Sequence, residues 1–157
     1  MPGMNVGVGD STGLRTMLGC LELLQGCWLR TFQYWNVGYS AEVSFQNDAS
    51  NCSAHLEIGS QWRLAQRERV LIGSHDDLSQ ECALGDVGLA VDGESRRYRG
   101  SPSHLVTRVQ ISRLGDLRIT FSEQLILDIF TGSRMSWRLY QDERRICGVR
   151  GSRLFRY

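Results

Sequence analysis

Ser74-His75-Asp76-Asp77 sets a hydroxyl, an imidazole and two carboxylates side by side. These groups move protons or hold metal ions. Catalytic partners usually meet through the fold rather than along the chain, so the plainer reading is a turn that caps a following helix. His75 and Asp76 are the candidates if the chain carries a small-ligand or enzymatic pocket. His55 and His104 show no ligand spacing with His75, and no cysteine pair has the close spacing of a zinc site. No metal and no cofactor is expected. The glycines at 3, 7 and 9 lie near the first residue rather than between a strand and a helix, so they do not read as a phosphate loop. No nucleophile elbow occurs. No residue is assigned a catalytic role.

Binding is the other chemistry to look for. Trp28, Tyr34, Trp35 and Tyr39 form an aromatic group of the kind enriched at protein interfaces. The competing reading packs them under an N-terminal helix. Arg63 and Arg138 occupy matching places in two similar stretches. They read either as surface ion-pair residues or as a paired anion site across a pseudo-twofold axis. Glu42, Glu57, Asp116 and Asp128 read as solvent-facing positions of alternating strands.

The elements that must carry these groups are organised around a repeat. Trp62, Arg63, Leu64, Gln66, Glu68, Arg69 and Gly73 recur 75 positions later as Trp137, Arg138, Leu139, Gln141, Glu143, Arg144 and Gly148. Unrelated segments of this length share about one residue at average composition. Ala41, Val43 and Phe45 correspond to Leu117, Ile119 and Phe121, 76 positions on. Leu56, Glu57 and Ile58 correspond to Leu127, Asp128 and Ile129, 71 positions on. The offset changes only between strands, where loops absorb insertions. A slip inside a strand would turn its apolar face outward. The expected fold class is α+β and mainly β: two duplicated antiparallel four-stranded units sharing one core, with a short N-terminal helix and a short linker helix. The whole of residues 1–157 reads as one domain with pseudo-repeats at about 27–74 and 104–149.

Outside the repeats, Leu14, Met17, Leu18, Leu21 and Leu24 recur at helical spacing after Asp10 and Ser11, with Gly26 as a stop. Residues 1–11 are glycine-rich and read as loose. Asp77 to Leu84 reads as the linker helix, followed by glycine breaks at 85, 88 and 93 and a basic knot at Arg96, Arg97 and Arg99. Arg153, Phe155 and Tyr157 alternate with Leu154 and Arg156, so residues 153–157 read as a strand.

All 18 basic residues are arginine, which suggests a bacterial source of high GC content. Residues 1–95 carry 5 arginines and 12 acids, and residues 96–157 carry 13 arginines and 5 acids. The asymmetry marks a surface for nucleic acid or an acidic partner, or else mutual attraction of the halves across an internal interface. The second reading is preferred, because the halves look like structural partners. Five scattered cysteines read as reduced, mostly buried thiols. With no apolar run long enough to span a bilayer and no leader-type segment, the expectation is a cytoplasmic protein without a membrane partner.

Gly73-Ser74 with Asp76, Gly115-Asp116-Leu117 and Ser136-Trp137-Arg138-Leu139 resemble an uncharacterised family of small, internally duplicated β-rich bacterial proteins, over roughly residues 18–150. The resemblance implies a β pattern in both halves, and it carries over no established activity. Some proteins of this size and style are immunity proteins that neutralise toxins. Together these observations favour a non-catalytic protein-binding module, possibly of immunity type. The alternatives are nucleic-acid binding through the arginine-rich second half, and a small-ligand or enzymatic pocket between the repeats.

Overall fold

The computed structural model describes residues 4–7, 11–35, 40–74, 88–92, 95–132, 135–151 and 153–157. His75, Asp76, Tyr39, Cys82 and the expected linker helix at 77–84 lie outside them. Among the described residues the chain is mainly β, with one α-helix, α1 (Ser11–Leu21). The first strand is β1 (Met4–Gly7). After α1 come β2 (Trp28–Trp35), β3 (Ala41–Asn47), β4 (Cys52–Ile58), β5 (Trp62–Gln66) and β6 (Arg69–Gly73). Next are β7 (Gly88–Asp92) and β8 (Ser95–Arg99). The second half supplies β9 (Val106–Ile111), β10 (Leu117–Phe121), β11 (Leu125–Ile129), β12 (Met135–Gln141), β13 (Arg144–Arg150) and β14 (Arg153–Arg156).

Two antiparallel sheets result. One has nine strands in the order β1-β14-β13-β12-β4-β3-β2-β8-β7, the other five in the order β6-β5-β11-β10-β9. The grouping differs from separate four-stranded units. Each half supplies three strands, β2–β4 or β9–β11, to one sheet and a hairpin, β5–β6 or β12–β13, to the other. The joints match in register. Trp137 and Leu139 of β12 lie opposite Ile58 and Leu56 of β4, while Trp62 and Leu64 of β5 lie opposite Ile129 and Leu127 of β11. Both hairpins slip register at the same place, after Leu64 in one and after Leu139 in the other. Both close on two turn residues of positive φ, Arg67 (50°) with Glu68 (63°) and Asp142 (47°) with Glu143 (68°). The recurring glutamate thus occupies the second position of a tight turn in each hairpin.

Alternation drives the sheets together. Trp62, Leu64, Leu127, Ile129, Leu56, Ile58, Trp137 and Leu139 are all buried, in one cluster that spans both sheets. Phe32 of the nine-stranded sheet meets Trp62 of the five-stranded one edge-on at 4.8 Å, and Phe45 stacks on Phe121 at 6.2 Å. Trp137 is fully buried and donates its indole N–H to the Gly115 carbonyl at 2.9 Å. Gly115 has φ +94°, and a Cβ there would stand 2.8 Å from a Val149 methyl. Only glycine fits that corner.

Helix α1 starts at Ser11 and ends through a 3₁₀ turn, Glu22–Leu24, before Gly26 at φ +80°. Met17, Leu21 and Leu24 are buried as the spacing predicts, but Leu18 is exposed. Cys20 of α1 hydrogen-bonds Cys147 of β13; the bond lowers the Cys20 thiol to about 6, with burial opposing and Arg156 assisting, and pushes Cys147 up. Cys27 and Cys147 are buried, while Cys20 and Cys52 are half-buried.

Three sequence expectations need correction. Residues 4–7 pair with β14 as a strand rather than lying loose. The glycine-broken stretch and basic knot form the β7–β8 hairpin, joined to β2; glycine spacing hid a strand whose partners lie far away in sequence. Asp116 and Asp128 are not solvent-facing alternates. Asp116 accepts the backbone and hydroxyl hydrogens of Thr131 at 2.7 and 2.8 Å, and Asp128 is 6% exposed. No helix among the described residues is long and apolar enough to cross a membrane.

Candidate binding face

The inward residues of both sheets are spent on the core, so chemistry has to come from the outward ones. Backbone pairing sets these in rows across each sheet. On the five-stranded sheet one row reads Gly73, Arg63, Asp128, Arg118, Gln110. On the nine-stranded sheet the row in matching register reads Gly148, Arg138, Glu57, Glu42, Gln33. The two rows differ in sign at one place, where Arg118 stands in one and Glu42 in the other.

That difference changes the chemistry. On the five-stranded sheet Arg118 grips Asp128 through two hydrogen bonds, of 2.6 and 3.1 Å, and Arg63 adds a third at 3.0 Å. Burial opposes the Asp128 charge, yet the bonds from Arg118 and Arg63 outweigh it and hold the carboxyl below its usual value. Arg63 also lies over the Phe130 ring at 5.4 Å. The depression above Asp128, about 360 Å³, is therefore floored by a carboxylate that is already satisfied.

On the nine-stranded sheet the neighbouring row is Tyr140, His55, Ser44, Thr31, against Ala65, Ile126, Thr120, Arg108 on the other. Tyr140 donates its hydroxyl hydrogen to Glu57 at 3.0 Å. His55 Nε2 stands 3.9 Å from Glu42 Oε1, and the Tyr140 ring tilts over His55 at 5.9 Å. One donor atom each from Glu42, His55 and Glu57 lies within 4.8 Å of the others. Beside them Arg97 donates to the Gln33 side chain at 3.0 Å.

Toward β14 the same face turns basic. Arg145, Arg150 and Arg153 are exposed there. Arg138, Arg145 and Arg150 line a depression of about 160 Å³ with Phe155 and Tyr157, over Gly148. Arg145 stacks on Tyr157 at 5.9 Å.

The residues singled out from sequence scatter. Tyr34 is a core residue, 3% exposed, with its ring 5.2 Å from Trp62; its place in the inward phase of β2 decides this. Trp28 is half-buried and donates its indole N–H to Asp48 at 3.0 Å. Trp35 is half-buried at the end of β2. Arg63 and Arg138 lie on the outer faces of different sheets, so they do not converge on one anion. Most of the described arginines of the second half are exposed, and an ion pair that crosses between the halves, Arg63 with Asp128, runs from the first half's arginine to the second half's acid; Arg138 of the second half in turn lies opposite Glu57 of the first. The Glu42, His55 and Glu57 grouping has no signature in the sequence spacing. The sum of positions is constant along the antiparallel β3–β4 hairpin, so 42 meets 57 and 44 meets 55. That register needed a loop length which the polar stretch 46–53 left open.

Comparison with family models, with curated proteins and with solved structures finds no match.

Proposed function

We propose that the chain is one β unit duplicated, and that it serves as a non-catalytic binding protein for an acidic protein partner, in the manner of cytoplasmic immunity-type proteins. The duplication is supported by the matched joints between β4 and β12 and between β11 and β5, by the shared register slip and by the paired positive-φ turns. The observation that carries the binding role is the arginine-rich end of the nine-stranded sheet. Several exposed guanidinium groups gather there around Phe155 and Tyr157. Arginine and aromatic residues are the types that anchor interfaces, and concentrated like charge steers an oppositely charged partner.

Affinity capture tests this reading. The wild-type chain is compared with Arg145→Glu/Arg150→Glu and with a control, Arg108→Glu/Arg113→Glu, on β9 and the turn that follows it. A defined acidic protein retained by the wild type and the control, and lost by the first variant, supports it. Equal retention by all three removes it. Nucleic-acid binding is the second reading, because Tyr157 beside Arg145 could stack a base. A mobility shift that falls steeply with salt, with no protein captured, would favour it instead.

A further inference from the structure

We propose that Glu42, His55 and Glu57 form a binding site for one divalent metal ion of the zinc or manganese class. The donor set is an imidazole and two carboxylates, which suits such ions. One donor atom from each lies within 4.8 Å of the other two. Metal bonds of about 2.0–2.2 Å place tetrahedral neighbours roughly 3.3–3.5 Å apart. The 3.9 Å between His55 Nε2 and Glu42 Oε1 closes to that spacing with a small rotation of the glutamate. The three residues are half-buried on adjacent strands, so the backbone fixes their spacing and the open side leaves room for water ligands. Tyr140 holds Glu57 Oε2 at 3.0 Å, the outer-shell bond that orients a ligating carboxylate.

A comparison of the two sheets bears on the same residues. In the matching row of the five-stranded sheet the carboxylate of Asp128 is neutralised by Arg118, a cation built into the chain. The register-equivalent position on the nine-stranded sheet is Glu42, and Ile126 is replaced by His55. The scaffold that carries its own positive charge on one sheet presents ligand atoms at the same position on the other.

The test uses the full chain, reduced, titrated with Mn²⁺ and followed by NMR of the histidine rings. Manganese is chosen because the free thiols compete for zinc. The expected result is selective broadening of the His55 ring signals near one equivalent, with His104 remaining sharp. Glu42→Gln should weaken the effect about tenfold or more, and Glu42→Arg, which copies the other sheet, should abolish it. If Glu42→Arg does not fold, wild type against Glu42→Gln carries the comparison. Uniform broadening of all histidines, no broadening at one equivalent, or equal affinity in Glu42→Gln would each overturn the site.

Discussion

The outer faces of the two sheets run the same row of residues in the same register and end as different surfaces. On the five-stranded sheet Asp128 is clasped by Arg63 and Arg118, and the row is closed. On the nine-stranded sheet Glu57 is held by the neutral Tyr140 hydroxyl, and Glu42 and His55 stand beside it. One sign reversal, with alanine and isoleucine giving way to tyrosine and histidine, separates a charge-satisfied face from one with ligand atoms to offer. The inner faces keep what the core requires, tryptophan and leucine against leucine and isoleucine. Across the two matching joints, packing keeps the inward positions alike, while the outward ones differ.

The inner faces give the largest expected effect. Trp62→Ala and Trp137→Ala should each cost about 3–5 kcal/mol, because each removes a large buried side chain. Urea unfolding measures both. Costs that differ severalfold would break the equivalence of the two joints.

The next effect belongs to the closed face. Asp128→Asn should cost about 1–3 kcal/mol, since a charged hydrogen-bond acceptor is lost from two arginines that water only partly screens. The sign with pH follows from the lowered carboxyl. Its contribution is fully present above the usual carboxylate value and is lost as pH falls through the depressed folded value. Wild type should therefore lose stability in that acid window, and the variant should lose less. An identical acid profile in wild type and Asp128→Asn would deny Asp128 its role.

The smallest effect lies in the turns. Arg67→Asn/Glu68→Gly should stabilise by about 0.5–1 kcal/mol, because both positions have positive φ and carry residues that pay for it. The equivalent change at Asp142 and Glu143 should match it in thermal denaturation. Opposite signs would show that the turns are not equivalent.

Much of this frame was legible in the sequence. The fixed offset inside strands located both tryptophan hairpins, and the leucine spacing located α1. The exchange of hairpins between sheets was hidden, because strand order depends on which edges close over the shared core. β1 and β7 were hidden for the same reason, since each is held by a strand far off in sequence. On the candidate face the individual residues were visible, but their meeting was not. Glu42 and Glu57 look like ordinary solvent-facing glutamates until pairing sets them opposite one another. Tyr34 failed as a binding residue because its strand phase points it at Trp62.

The most direct measurement is the unfolding free energy, at pH 7 without added metal, of Arg118→Ala beside Glu42→Ala, the register-equivalent positions where the two rows differ in sign. Arg118→Ala should lose about 1–2 kcal/mol, because it strips two bonds from a buried carboxylate. Glu42→Ala should stay within about 0.5 kcal/mol of wild type, as a half-buried side chain facing a like charge. Equal losses at the two positions would mean that both faces serve the fold alike, and the division between a closed face and an open one would be wrong.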